Sequence, residues 1–152
     1  MILGNGSHVE EIWDDVQTDT TFEEAHRKID YEPDPRIYTP RISATAALTR
    51  KGAQGFVTAG AVSDPHWPRI TQHRTLHIES PAPGQGQLVT TYVGDLDSPQ
   101  PNGNPVVVRV ESGWESIVSE LWAVLDPNLK VAVGAFPLQD ASFLSEIVKK
   151  KH

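Results

Sequence analysis

Two carboxylates (Glu32, Asp34), two guanidiniums (Arg36, Arg41) and two phenols (Tyr31, Tyr38) crowd the stretch Tyr31-Glu-Pro-Asp-Pro-Arg-Ile-Tyr-Thr-Pro-Arg-Ile-Ser43. Carboxylates carry protons, guanidiniums grip phosphate or carbonyl oxygens, and phenols both donate and accept. Pro33, Pro35 and Pro40 keep the segment out of a helix, because proline lacks the N–H donor, fixes φ and pushes the residue before it to extended backbone. A stiff arm of this kind holds opposed charges against a polar ligand at low entropic cost. As a plain surface loop it would hold the same charges in ordinary ion pairs.

Other candidates lie apart in sequence. Asn5 sits in a Gly-Asn-Gly turn ahead of a helix, where a turn amide and free N–H groups make an anion or carbonyl site; ordinary turn chemistry reads the same way. Thr90 and Tyr92 share one face of a strand, and Asp95 lies just beyond it. His73 and His77 are four residues apart on a strand, roughly 13 Å, too far for one metal ion, so they read as a solvated polar face. His8, His26, His66 and His152 have no partner spacing, and no HExxH, phosphate-loop or Gly-x-Ser-x-Gly motif is present. Gly84-x-Gly86 lacks a third glycine and precedes a strand, which reads as a tight hairpin. Trp13, Trp114 and Trp122 fall on helical stripes and read as core, and Trp67 reads as exposed.

The arm also carries a resemblance. Glu32-Pro-Asp34, three residues, then Tyr38-Thr-Pro-Arg41-Ile42 is similar to the motif of the IMP cyclohydrolase-like family, the archaeal type of enzyme that closes the purine ring. The family wording is close to Glu-Pro-Asp-Ala-Pro-Asn-Tyr-Thr-Pro-Arg-Ile, and Pro35, Arg36 and Ile37 replace its Ala-Pro-Asn at unchanged length. Asn5-Gly6 before a helix, and Gly84-Gln-Gly86 running into Thr90-Thr-Tyr92-Val-Gly-Asp95, resemble further family features in the same order. The resemblance implies a layered α-β-β-α sandwich of antiparallel sheets, the Ntn-hydrolase-like fold, truncated at one edge because the family's opening strands have no counterpart before Met1. The implied reaction closes a formamido-imidazole carboxamide ribonucleotide to IMP with loss of water. Glu32, Arg41 and Tyr92 are its implied catalytic residues, and Asn5, Asp34, Tyr38, Thr90 and Asp95 its substrate contacts. No metal or organic cofactor is implied, and Met1-Ile2 offers no N-terminal nucleophile. The alternative is a non-catalytic nucleotide-binding module or subunit of the same fold that requires a partner chain.

Composition narrows the rest. A chain of 152 residues with 38% hydrophobic and 22% charged residues fits a single α+β domain spanning residues 1–152. The net charge of −7 argues against a sequence-independent grip on nucleic acid, and no apolar run approaches a membrane span. Without cysteine there is no disulfide and no thiolate zinc site, and the N-terminus lacks a signal-peptide pattern; a cytoplasmic protein is expected. A small-molecule ribonucleotide is the expected ligand. A second copy, or a partner chain supplying the missing strands, is expected to cover the open edge.

The elements that must position these residues follow from periodicity. Val9, Ile12, Trp13 and Val16 mark a helix begun by Ser7 with Glu10 as a capping box, and a second helix starts at Thr20 or Thr21. Ile42–Thr49, Gln54–Ser63, Ile70–Ile78 and Leu88–Val93 read as neighbouring antiparallel strands, the first two joined by a turn at Arg50–Ala53. Asp97–Pro105 reads as a loop and Val106–Val110 as a short strand. Trp114–Leu125 is the clearest helix, expected on a face of that sheet and stopped by Asp126-Pro127-Asn128. A strand at Leu129–Phe136 and a final helix capped by Ser142, bearing Phe143, Leu144, Ile147 and Val148, complete the expectation.

Overall fold

A computed structural model of the chain describes residues 1–34, 37–49, 52–67, 69–95, 97–111, 113–128, 132–135, 138–139, 142–143 and 147–150. In chain order the elements are β1 (Ile2–Gly4), α1 (His8–Gln17), α2 (Phe22–His26), β2 (Arg41–Thr49), β3 (Gly52–Ser63), β4 (Thr71–Glu79), β5 (Gln85–Leu88), β6 (Tyr92–Val93), β7 (Gln100–Pro101), β8 (Val106–Arg109), α3 (Trp114–Val124), β9 (Ala132–Ala135), β10 (Leu138–Gln139), β11 (Ser142–Phe143) and β12 (Ile147–Lys150). Arg36 lies outside the described residues, as do positions 50 and 51 of the first hairpin turn.

The architecture is α+β with antiparallel pairing throughout the described ladders. Its centre is a four-stranded sheet in the order β1-β2-β3-β4. Directly opposed residues share a face. The register puts Ile2 opposite Thr45, Thr45 opposite Val57, and Ser43 opposite Ala59, so these residues line one side. On that side α1 and α2 bury Ile12, Phe22, Ala25 and Ile29 against Val57 and Ala59, with Ile2 and Val16 packed at the margin. Ile12 is completely enclosed, a burial that stabilises by about 1.5–3 kcal/mol. The other side presents Leu3, Ala44, Ala46 and Phe56 toward Gln85–Gln87 of β5, leaving an apolar cavity of about 330 Å³ between them. The Gln87 Nε2 amide crosses that gap to the carbonyls of Leu76 (3.1 Å) and Phe56 (3.4 Å).

α2 starts as read. Thr21 accepts from the Glu24 N–H, and the Glu24 carboxylate accepts from the Thr21 N–H, closing a capping box. Ser7 does not do the same for α1. Its backbone is already helical, its side chain caps nothing, and the Glu10 N–H goes to the Ser7 carbonyl instead.

Several expectations need correction. The run Leu88–Val93 is not one strand beside β4; β5 pairs with β8, and β6 pairs with β7, which arises inside the expected Asp97–Pro105 loop. α3 packs against β9 and β12 rather than on the central sheet. The described residues of the expected final helix are in strands: 142–143 pair with β10 and 147–150 with β9, so there sheet partners override the local helical spacing, while Leu144 lies outside the described residues. Trp13 is 48% exposed, at the edge of the α1 stripe rather than inside it, whereas Trp67 is exposed as expected. His73 and His77 lie on the helix side of β4, where the His73 ring meets His26 edge-on at 6.1 Å and His77 Nδ1 is 3.7 Å from Glu23. No helix among the described residues is long and apolar enough to cross a membrane.

Candidate functional site

The arm is folded on itself by one carboxylate. Asp34 accepts from the Thr39 N–H (2.8 Å) and the Thr39 hydroxyl (2.6 Å), while its carbonyl receives the N–H groups of Ile37 and Tyr38. The Glu32 N–H bonds the Thr39 carbonyl at 2.9 Å, closing the base of the turn. The Thr39 hydroxyl hydrogen bond holds the Asp34 carboxyl below the usual carboxylate range, since it favours the charged form. Tyr38 takes a left-handed backbone (φ 50°), which sets its ring edge-on to Tyr31 at 5.5 Å.

Tyr92 arrives at this arm from β6. Its hydroxyl lies 2.6 Å from Thr39 Oγ1. The only Thr39 hydroxyl hydrogen is committed to Asp34, so Tyr92 is the donor in this pair. The result is a directed chain from Tyr92 through Thr39 to Asp34, and the outward lone pairs of the phenol oxygen remain acceptors. Thr90 braces the approach. It accepts from Asn102 Nδ2 at 2.8 Å, and its carbonyl accepts from the Gly103 N–H at 2.9 Å. Gly103, at φ 56°, lies directly over Gly60: a side chain on Gly60 would run into the Gly103 backbone, and one on Gly103 into the Val62 side chain.

A second group forms around the start of α1. The Asn5 side chain is taken up by backbone: Nδ2 donates to the Pro40 carbonyl and Oδ1 accepts from the Ile42 N–H, both at 2.9 Å. Asn5 therefore clamps the entry of β2 to β1. His8, fully buried, puts Nε2 2.8 Å from Ser43 Oγ and 3.3 Å from the Ile42 carbonyl. Burial, first of all, pushes His8 below the ordinary histidine range. Glu32 Oε1 and His8 Nδ1 face the same space over Gly6. Beneath β2, His26 is buried and pushed down to about 4 by burial, with His73 and His8 adding to the shift.

Arg41 opens β2 and borders a concavity of about 330 Å³ with Asp30, Tyr31, Pro33, Arg69 and Thr71. The Thr71 hydroxyl bonds Asp30 at 2.6 Å, and the guanidiniums of Arg41 and Arg69 border the same concavity. Asn5 borders a separate concavity with Ser43 and Val89, and Tyr92 and Thr90 a third with Asn102 and Asn104. Two of these described concavities include residues of the 41–43 segment, and none of the three holds Glu32, Arg41, Asn5 and Tyr92 together. Asp95 is exposed and its carbonyl caps a turn at Ser98; it stands apart from both groups. Sequence reasoning missed Thr39, Ser43, Arg69 and His8. The only signal for Thr39 was its place inside the motif, and nothing in spacing alone pairs His8 with a serine 35 residues away. Among the described residues no three His, Asp or Glu side chains are grouped to hold a metal ion.

The model of the family described as IMP cyclohydrolase-like protein matches residues 1–140. The chain belongs to the IMP cyclohydrolase-like family. No curated protein and no solved structure matched it. In this family member the match takes in both groups of side chains, from Asn5 through the arm to Tyr92. The arrangement offers an oriented phenol, a carboxylate on a braced arm, a pair of guanidiniums, and a neutral buried imidazole behind them.

Proposed function

We propose that the chain is a purine-biosynthesis cyclohydrolase that closes a formamido-imidazole carboxamide ribonucleotide to IMP. In that reaction the carboxamide nitrogen attacks the formyl carbon, a C–N bond forms, and the carbonyl π pair moves to oxygen. The nitrogen gives up a proton and the oxygen gains one. The hydroxyl then leaves as water with the proton of the formamido nitrogen, and a C=N bond forms. Glu32 takes the proton from the attacking nitrogen and returns it to the departing oxygen. Tyr92, its own hydrogen held by Thr39, presents an acceptor to a substrate N–H and fixes the orientation of attack. Arg41, with Arg69 beside it, grips the phosphate. Asn5, Asp34 and Thr90 shape the site through the backbone and the arm, and Tyr38 with Tyr31 forms its outer wall.

The observation that carries this reading is the Tyr92–Thr39–Asp34 chain, which ties the family motif on the arm to a residue 53 positions later. The layered α-β-β-α order belongs to the same proposal, supported by helices on one side of the central sheet and β5 across the cavity on the other. The second reading, a nucleotide-binding module that needs a partner chain, is favoured by the division of the candidate residues among separate concavities. Incubating purified protein with the formamido ribonucleotide and separating products by chromatography distinguishes the two: IMP accumulation above the uncatalysed rate supports the enzyme, and nucleotide binding without IMP supports the module.

A further inference from the structure

The strand that carries Tyr92 is held from outside. β6 and β7 contribute two residues each, Tyr92 opposite Pro101 and Val93 opposite Gln100, and Pro101 has no N–H to give to the ladder. The residue 102–103 loop supplies what the ladder lacks. The Asn102 N–H donates to the Thr91 carbonyl at 2.9 Å, the Gly103 N–H to the Thr90 carbonyl, and Asn102 Nδ2 to Thr90 Oγ1. That loop is in turn docked on the central sheet. Gly60, opposite Arg74 in the β3–β4 register, has no side chain, which lets the Gly103 backbone lie on it. Beside Gly60, Arg74 donates Nη1 to the Asn102 carbonyl at 3.2 Å.

Arg74 is half-buried, and among the described residues it makes no ion pair. Its other nitrogen, Nη2, donates to Gln72 Oε1 at 3.1 Å. Gln72 Nε2 donates to Asp64 Oδ2, and Asp64 Oδ1 accepts the N–H groups of His66 and Trp67 at 2.8 Å each. A guanidinium only donates and a carboxylate only accepts, so the Gln72 amide stands one way round. The chain Asp64–Gln72–Arg74–Asn102–Thr90 therefore runs from the loop that carries Arg69 to the strand that carries Tyr92. A charged fork spent on two neutral oxygens neutralises no carboxylate; it fixes the spacing between the Gln72 amide and the Asn102 carbonyl.

We propose that Arg74 is a positioning residue: by holding the Asn102 carbonyl it sets where the Tyr92 hydroxyl stands relative to Thr39, and so completes the Tyr92–Thr39–Asp34 chain. Arg74 acts through Asn102, Thr90 and Tyr92, while Gln72 and Asp64 keep its fork aimed. The inference rests on the ring-closure reading for its effect on rate, and on the hydrogen bonds alone for its effect on Tyr92.

Two readouts on the full chain test it, and the first needs no turnover. The chain has three tyrosines, so protein labelled with carbon-13 at tyrosine Cζ gives three resonances, and Tyr92→Phe identifies the one from Tyr92. Arg74→Met should shift that resonance and leave those of Tyr31 and Tyr38 in place, while circular dichroism shows a folded protein. Arg74→Lys, which can reach one oxygen and not hold both, should shift it less. Gln72→Leu cuts the chain one link earlier and carries the same comparison if Arg74→Met does not fold. The second readout is single turnover with the formamido ribonucleotide. Arg74→Met should slow IMP formation by about tenfold at unchanged affinity, and should slow Tyr92→Phe no further, because both act on the same group. A Tyr92 resonance that stays in place in the folded variants overturns the proposal. So does a slowing as large in Tyr92→Phe as in the wild type. A shifted resonance in a protein that forms no IMP supports the placing of Tyr92 by Arg74 and overturns the ring-closure reading alone.

Discussion

Glu32 and Arg41 stand nine residues apart on either side of the Asp34–Thr39 turn, and their substitutions separate chemistry from grip. Glu32→Gln keeps the shape and removes the proton carrier, so steady-state kinetics should show kcat falling by about 10²-fold or more with KM little changed. Arg41→Lys keeps the charge and removes the fork, so KM should rise by about tenfold with kcat nearly preserved. The reverse pattern would exchange their roles. The charged residues of the arm were legible from their types and from the prolines that stiffen them. Thr39 was not, because a threonine that joins two other side chains has no periodicity of its own. His8 was set aside for want of a spaced partner, since its contact with Ser43 is made by sheet register and not by local spacing.

The arm's rigidity comes from its junctions with β1, β2 and the residue 102–103 loop. Asn5→Ala removes two backbone hydrogen bonds at the mouth of β2 and should lower stability by about 1–3 kcal/mol in urea unfolding. A loss within error would mean that solvent replaces both bonds. Gly60→Ala forces a methyl into the Gly103 carbonyl and should be more damaging, because the atoms it meets are all Gly103 backbone and cannot turn aside. The capping box of α2 and the β2–β3–β4 ladder were readable from sequence, since each rests on local chemistry: Thr21 with Glu24, and strands joined by short connections. β5, β6 and the C-terminal ribbons were not. Short strands such as Tyr92–Val93 are defined by the partner they find, and Phe143, Ile147 and Val148 fit a helical stripe until β9 and β10 supply ladders.

For the molecule as a whole, the buried histidine layer ties stability to pH. His26 has a folded value of about 4, depressed from 6.5 by burial, so its contribution is fully present above pH 6.5 and is lost as pH falls toward 4. The unfolded chain binds the extra proton, and the loss amounts to roughly 3 kcal/mol across that window. Tm should therefore drop between pH 6.5 and 4, and His26→Phe should flatten that slope; an unchanged slope would assign it to other groups. β1 is the end strand of the central sheet, with Leu3 half exposed, and such an edge invites a further strand. Sedimentation should show a concentration-dependent dimer, and a stable monomer at high concentration would remove that expectation.

The central claim, that the Tyr92–Thr39–Asp34 chain orients ring closure, is tested most directly by single-turnover mixing of excess protein with the formamido ribonucleotide. Wild-type protein should form IMP. Tyr92→Phe and Thr39→Val should each slow the chemical step by about 10–100-fold at unchanged affinity, and the double variant should be little slower than either single one, because both cut the same chain. No IMP from folded wild-type protein, or a rate that survives both substitutions, would contradict the account.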